Sequence, residues 1–463
     1  MRWHGTLGRP VAMTLTAAFG VSLWCTGPLT GVANASDAPG AGPDSVVEDF
    51  SYPDRDTVLA EKGLKLISGD GHITLADCTS GGDLIRINSR VTKDVNTCFA
   101  ISGPVGYLSM EVEQTYLAKS EGRDDVTATV RSASPQTKGK VEKVDLEPGK
   151  WQELGEGSDP KRSSTLLELS VGQGKAVKAP SGDPARPWLA RVTVNQPGLK
   201  GGRACTGTLV DKSWVLTAAS CFTDDPAKSA PAEGAPQGNA TVTFAGQAPT
   251  KIDHIVPRKD RDVVLARLAT PVTKITPATL AGGAPAEGAS LVAAGYGRTA
   301  TAWVPNSPHH SKTTLGKSTG TMAELTGGRI CKGDAGGPVL DADGNITAVQ
   351  SRSDHGTCLG NSGQGKSAGA ARVDNITNWL DVGSSTSKER FTLDEAAGAR
   401  QVSGHPAEEA SAELGGGAKL GATGKSGGAL RLNGTTAYAA TTDPVVDTTK
   451  SFTVSAWVKL DNK

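Results

Sequence analysis

Trp214-Val-Leu-Thr-Ala-Ala-Ser220-Cys221 is the stretch on which the reading of this chain turns. It follows Cys205-Thr-Gly-Thr-Leu-Val210, and later come Asp262-Val-Val-Leu-Ala-Arg-Leu268, Gly295-Tyr-Gly297 and Cys331-Lys-Gly-Asp-Ala-Gly-Gly-Pro338. Taken alone, Trp214 to Leu216 reads as a buried strand that ends at a cysteine. A buried strand does not account for the ordered company of the other four strings.

Around these strings the chain runs to 463 residues, too many for one ordinary core. At about 150 residues per domain it should hold two or three. Lys plus Arg number 48, as do Asp plus Glu, and neither sign forms a long run. That excludes the electrostatic footprint of a nucleic-acid or anionic-membrane binder, so neither is expected as a partner. With 58 glycines and only 4% aromatics, and without a long helical period, the composition favours a mostly β, loop-rich protein.

Residues 1–35 read as a signal peptide: Arg2 and Arg9, an apolar run from Val11 to Trp24, then Ala33-Asn34-Ala35 as a small-residue cleavage site. The expected location is therefore secreted, after cleavage near Ala35. Cys25 leaves with that segment, and six cysteines remain: Cys78, Cys98, Cys205, Cys221, Cys331 and Cys358. An even set in an exported protein reads as disulfides, and their grouping in three close pairs makes neighbour-to-neighbour bridges the simplest assignment. Each bridge would be worth about 3 kcal/mol in the chain-entropy model. No CxxC-type spacing supports a metal site, and neither metal nor cofactor is expected.

Composition breaks divide the rest. A Gly/Pro/Ala/Asp stretch over 36–46 has nothing to bury and is expected to be a flexible leader. Residues 47–171 carry strand-like runs between Gly, Asp and Pro turns, including 84–87, 107–112, 126–130 and 166–169, and should form a small antiparallel β domain. It resembles N-terminal modules of actinobacterial secreted proteins. A linker at 172–186 precedes the segment 187–382, which holds the five strings and one helix-like end at Val373 to Leu380; a second linker spans 383–390.

Segment 187–382 resembles the chymotrypsin/trypsin family of serine proteases, and the resemblance implies a two-barrel fold. The family's lines read C-[SG]-G-[ST]-L-[IV], W-V-L-T-A-A-H-C, D-[IV]-A-L-[IL]-x-L, G-W-G and C-x-G-D-S-G-G-P. This chain follows them in order, with bridges Cys205 to Cys221 and Cys331 to Cys358 in the family's places. Asp262 matches the aspartate that orients the catalytic histidine. The histidine position holds Ser220 and the nucleophile position Ala335. A serine hydroxyl is no general base near neutral pH, and a methyl group is no nucleophile. Gly333 and Ala335 would still supply the two N–H groups of an oxyanion hole.

By the same resemblance Arg329 falls at the base of the specificity pocket and His355 beside it. Arg329 would suit an anionic side chain or a terminal carboxylate; otherwise it would satisfy Asp334 or turn to solvent. His309, His310 and His355 are expected as solvated loop histidines. The family's activating I-V-G-G terminus has no counterpart in Lys175-Ala-Val-Lys-Ala179, so Asp334 must be solvated, paired with another cation or left zymogen-like.

The function expected is a pseudoprotease that binds peptide or protein ligands. The alternatives are a serine-type hydrolase with unorthodox residues, and glycan or matrix binding through the C-terminal segment. That segment, 391–463, includes Gly427-Gly-Ala-Leu-Arg-Leu-Asn-Gly434 and Ser451-Phe-Thr-Val-Ser-Ala-Trp-Val-Lys-Leu460. It resembles the opening strands of a laminin-G-like, concanavalin A-like β-sandwich (jelly roll). The segment is shorter than such a module and is expected to be an incomplete one.

Overall fold

The computed structural model describes residues 44–132, 139–154, 164–172, 175, 180–224, 230–361, 367–376, 379, 390–405, 411–425, 427–441, 445 and 454–460. The expected signal segment, most of the leader, Ala176 to Ala179, the linker at 383–389 and residues 377, 378 and 380 of the helix expected at Val373 to Leu380 lie outside them.

The sequence around Trp214 builds a closed six-stranded barrel, in the order Leu189–Val194, Arg203–Asp211, Trp214–Thr217, Val264–Leu268, Thr250–Pro257, Ala240–Phe244. All four residues of Trp214–Thr217 are buried, which is why the run is apolar rather than alternating. A second barrel closes through Ile346–Ser353, Pro338–Leu340, Ser290–Gly295, His309–Ser318, Met322–Thr326 and Ala368–Arg372, the last pairing back onto the first. One apolar core runs through both barrels.

Before them, residues 65–171 form a nine-stranded antiparallel sheet around the 15-residue strand Gly106–Ser120. Its alternation sends Leu108, Met110 and Val112 into a core of their own. A short helix at Arg55–Lys62, unforeseen in the sequence, leads into it and ends on Gly63 at φ 69°. Trp303, from the loop preceding His309–Ser318, is buried in that same core and meets Tyr52 edge-on at 5.1 Å between ring centroids. The sheet and the second barrel therefore share a hydrophobic joint rather than hanging on a bare linker.

Three disulfides link Cys78 to Cys98, Cys205 to Cys221 and Cys331 to Cys358, each cysteine to its neighbour in sequence. After Arg390 come a four-stranded sheet and a two-stranded one, with a small core of Val402, Ala412 and Leu420.

Two expectations need correcting. The leader does not stay free as far as residue 46: Asp44–Ser45 is a strand on the edge of the second barrel, and Val46 is fully buried. The barrel edge supplies the hydrogen-bond partners that this polar stretch lacks on its own. In the C-terminal segment, residues 454–460 form no strand, and Val454, Trp457, Val458 and Leu460 are each at least 74% exposed. A strand is stable only beside another strand, and among the described residues none pairs with this one.

Candidate functional site

The seam between the barrels gathers the motif residues. Ser220 sits on a buried 3-10 turn, Ala219–Phe222, and its Oγ donates to Asp262 Oδ2 at 2.9 Å while its N–H donates to Oδ1 at 2.7 Å. From the second barrel, Ser351 Oγ donates to the same Oδ2 at 2.6 Å. Asp262 thus has three donors on it and no imidazole.

Opposite stands the turn Cys331 to Pro338. Gly333 at φ 98° and Gly336 at φ 85° give it its shape, and a Cβ on Gly336 would lie 2.0 Å from Thr217 Oγ1 and 2.2 Å from Thr206 O. Only glycine fits there. Thr206 secures the turn from the first barrel: its N–H donates to Ala335 O at 2.8 Å and its Oγ1 to Gly333 O at 2.9 Å. The N–H groups of Gly333 and Ala335 converge on a single acceptor, the carbonyl oxygen of Val46, at 2.7 and 3.2 Å. Ala335 is fully buried, with a methyl group and no hydroxyl.

Val46 belongs to a segment laid through the seam as an extended strand. Asp44 and Ser45 pair antiparallel with Ser353 and Arg352. The N–H of Val46 donates to Ser351 O at 3.1 Å, and Glu48 exchanges two bonds with Ala204, both 2.9 Å. Beyond, the backbone passes to the N-terminal sheet through Phe50 O to Gly69 N–H and Tyr52 N–H to Ile67 O. Glu48 and Arg298 form a buried pair, 2.6 and 2.7 Å, with side chains 3% and 6% exposed. Lys332 Nζ reaches Asp49 Oδ2 at 2.8 Å. Burial works against the Asp49 carboxylate, yet Lys332 and the Ser51 N–H hold its pKa below the usual value.

Asp334 is fully buried and does not turn to solvent. Its Oδ1 accepts from Gly297 N–H at 2.8 Å and its Oδ2 from Cys331 N–H at 2.9 Å. His309 Nε2 lies 3.1 Å from Oδ1, close enough for an ion pair though not aligned for a hydrogen bond. Burial pulls the His309 pKa down, but Asp334 more than offsets it and the net shift is upward. His310 contacts Asp183 at 3.0 Å. Burial and then Arg186 lower its pKa against the pull of Asp183.

These findings correct the expected solvated histidines: His309 and His310 each have a carboxylate beside them that the sequence does not place there. His355 stands at φ 55° next to the docked segment. Burial first, then Lys332, push its pKa down against Asp44, and neither ring nitrogen has a hydrogen-bond partner among the described residues. Arg329 is half-buried, with Nε donating to Thr357 Oγ1 at 3.3 Å; among the described residues it bonds neither Asp334 nor the segment. No group of three or more His, Cys, Asp or Glu among the described residues could hold a metal ion.

Residues 176–380 match the family model described as Trypsin. This part of the protein is a trypsin-like domain. Snake venom serine protease 3 of Protobothrops jerdonii is 27% identical over 247 residues, 46% of this chain and 90% of that protein. The trypsin-like domain has a residue missed by the sequence reading at each key contact with the segment: Ser351, Arg298, Trp303 and Ala204. Of these, Arg298 alone left a signal, as a cation directly after Gly295-Tyr-Gly297.

Proposed function

We propose that this protein is a secreted, catalytically inactive homologue of trypsin-like serine proteases whose cleft holds an extended peptide strand without cleaving it. Acyl transfer of the family's kind needs an oxygen nucleophile, an imidazole to take its proton and later deliver it to the leaving amine, and a carboxylate to orient the imidazole. Here only Asp262 remains, and its lone pairs already accept from Ser220 and Ser351. In a comparable triad the loss of serine or histidine alone costs roughly 10⁶-fold in turnover.

The single observation that carries the reading is the carbonyl of Val46, held by the Gly333 and Ala335 N–H groups above a methyl group. The machinery for gripping a peptide carbonyl is present where the machinery for attacking it is absent. Export agrees with three disulfides and with the likeness to a venom protease. Hydrolysis of a broad library of peptide amides and esters is the test: the purified protein should turn over none, and turnover that survives repurification would sink the proposal.

A further inference from the structure

The residues lying in the cleft are sequence-specific in a way backbone pairing does not require. Strand addition needs only main-chain bonds, and those at Asp44, Ser45, Val46 and Glu48 would accept almost any sequence. The side chains add two built positions. Val46 is wholly removed from water within the common barrel core.

Two residues further on, the Glu48 carboxylate meets both Nε and Nη2 of Arg298. The backbone N–H of Arg298 donates to Lys332 O at 2.8 Å, its guanidinium lies 5.6 Å from the centre of the Trp303 ring, and Nη2 also donates to Ser51 O at 2.9 Å. Indole Nε1 of Trp303 faces the same Glu48 oxygen at a long 3.5 Å. A buried arginine in this setting demands an anion, because without one it is an uncompensated charge. Lys332 continues the preference to the next residue, Asp49.

We propose that the cleft is a binding site for an acidic extended strand of the pattern Val-Val-Glu-Asp, that the protein's own residues Val46 to Asp49 are its resident ligand, and that the carboxylate two positions beyond the gripped carbonyl is the group it selects. The proposal rests on the non-catalytic reading and names the ligand that reading leaves open. A strand of the same chemistry from another molecule binds only after the tethered resident is displaced.

The test uses the full-length protein and a fluorescent synthetic peptide with the sequence of residues 43–52. Glu48→Arg sets like charges together and evicts the resident; Val46→Asp evicts it through the apolar position. The unaltered protein should take up no peptide, since a tethered segment competes at an effective concentration on the order of millimolar. Both variants should bind it, and a peptide with Gln in place of its Glu should bind about tenfold more weakly or worse.

A folded variant that ignores the peptide, or takes the Glu and Gln peptides equally, contradicts the proposal. If neither variant folds, amide hydrogen exchange on the unaltered protein decides. Gly333, Ala335, Val46 and Glu48 should exchange slowly together, and fast exchange at Gly333 and Ala335 overturns the resident. Cleavage of the peptide appears separately as fragments in the mass spectrum; it would defeat the non-catalytic reading while binding and exchange still report on the resident.

Discussion

Arg298 and His309 are each set against a buried carboxylate, and the removal of either should be felt. Arg298→Ala leaves the Glu48 carboxylate buried without its counter-charge, and denaturant unfolding should show a loss of about 3–5 kcal/mol. A loss below about 1 kcal/mol would mean that the pair is solvated in solution. His309 has a folded-state pKa above its unfolded value, so its contribution is complete below that unfolded value of about 6.5 and fades as pH rises through the folded pKa. The stability gap between the unaltered protein and His309→Asn should be widest near about pH 5 and narrow towards about pH 9. A gap independent of pH would show that His309 packs there without its charge.

At the scale of elements, the strand Asp44–Ser45 and the strand Trp214–Thr217 are opposite cases of legibility. The second declares itself, because a strand buried on both faces must be apolar along its length. The first is polar, and its conformation is dictated by the end of Ile346–Ser353 that extends past its pairing with Pro338–Leu340 rather than by its own residues, so composition pointed to a leader. The five motif strings gave the barrels and the positions of Ser220, Asp262 and Ala335. They gave neither Glu48 nor Arg298, which are 250 residues apart and meet only through the fold.

The partner of Asp334 was likewise invisible, since nothing in His309-His310 separates a solvated loop from a strand start. The cysteines were readable because neighbours along the sequence are also neighbours in space. The Cys78–Cys98 bridge spans 20 residues within the N-terminal sheet, and its double replacement by serine should cost about 3 kcal/mol in denaturant titrations. An unchanged midpoint would show that the sheet alone fixes that loop.

Over the whole molecule, the docked segment and Trp303 bind the N-terminal sheet to the trypsin-like domain. One passes from cleft to sheet by main-chain bonds, and the other crosses from barrel loop to sheet core. Trp303→Ala should therefore destabilise both parts, by about 3–5 kcal/mol, and split a shared thermal transition into two. A single transition shifted as one would place the joint elsewhere.

The central claim is that this cleft grips a peptide and lacks the means to cut it. Labelling with a serine-directed fluorophosphonate tests that most directly, applied to the unaltered protein, to Glu48→Arg with its emptied cleft, and to Glu48→Arg carrying Ser220→His and Ala335→Ser as well. The account predicts labelling of the last protein alone, because the two reversions restore nucleophile and base beside Asp262 and an open cleft admits the probe. Stoichiometric labelling of either protein that keeps Ser220 and Ala335 would contradict it and show a nucleophile other than the one this fold has lost.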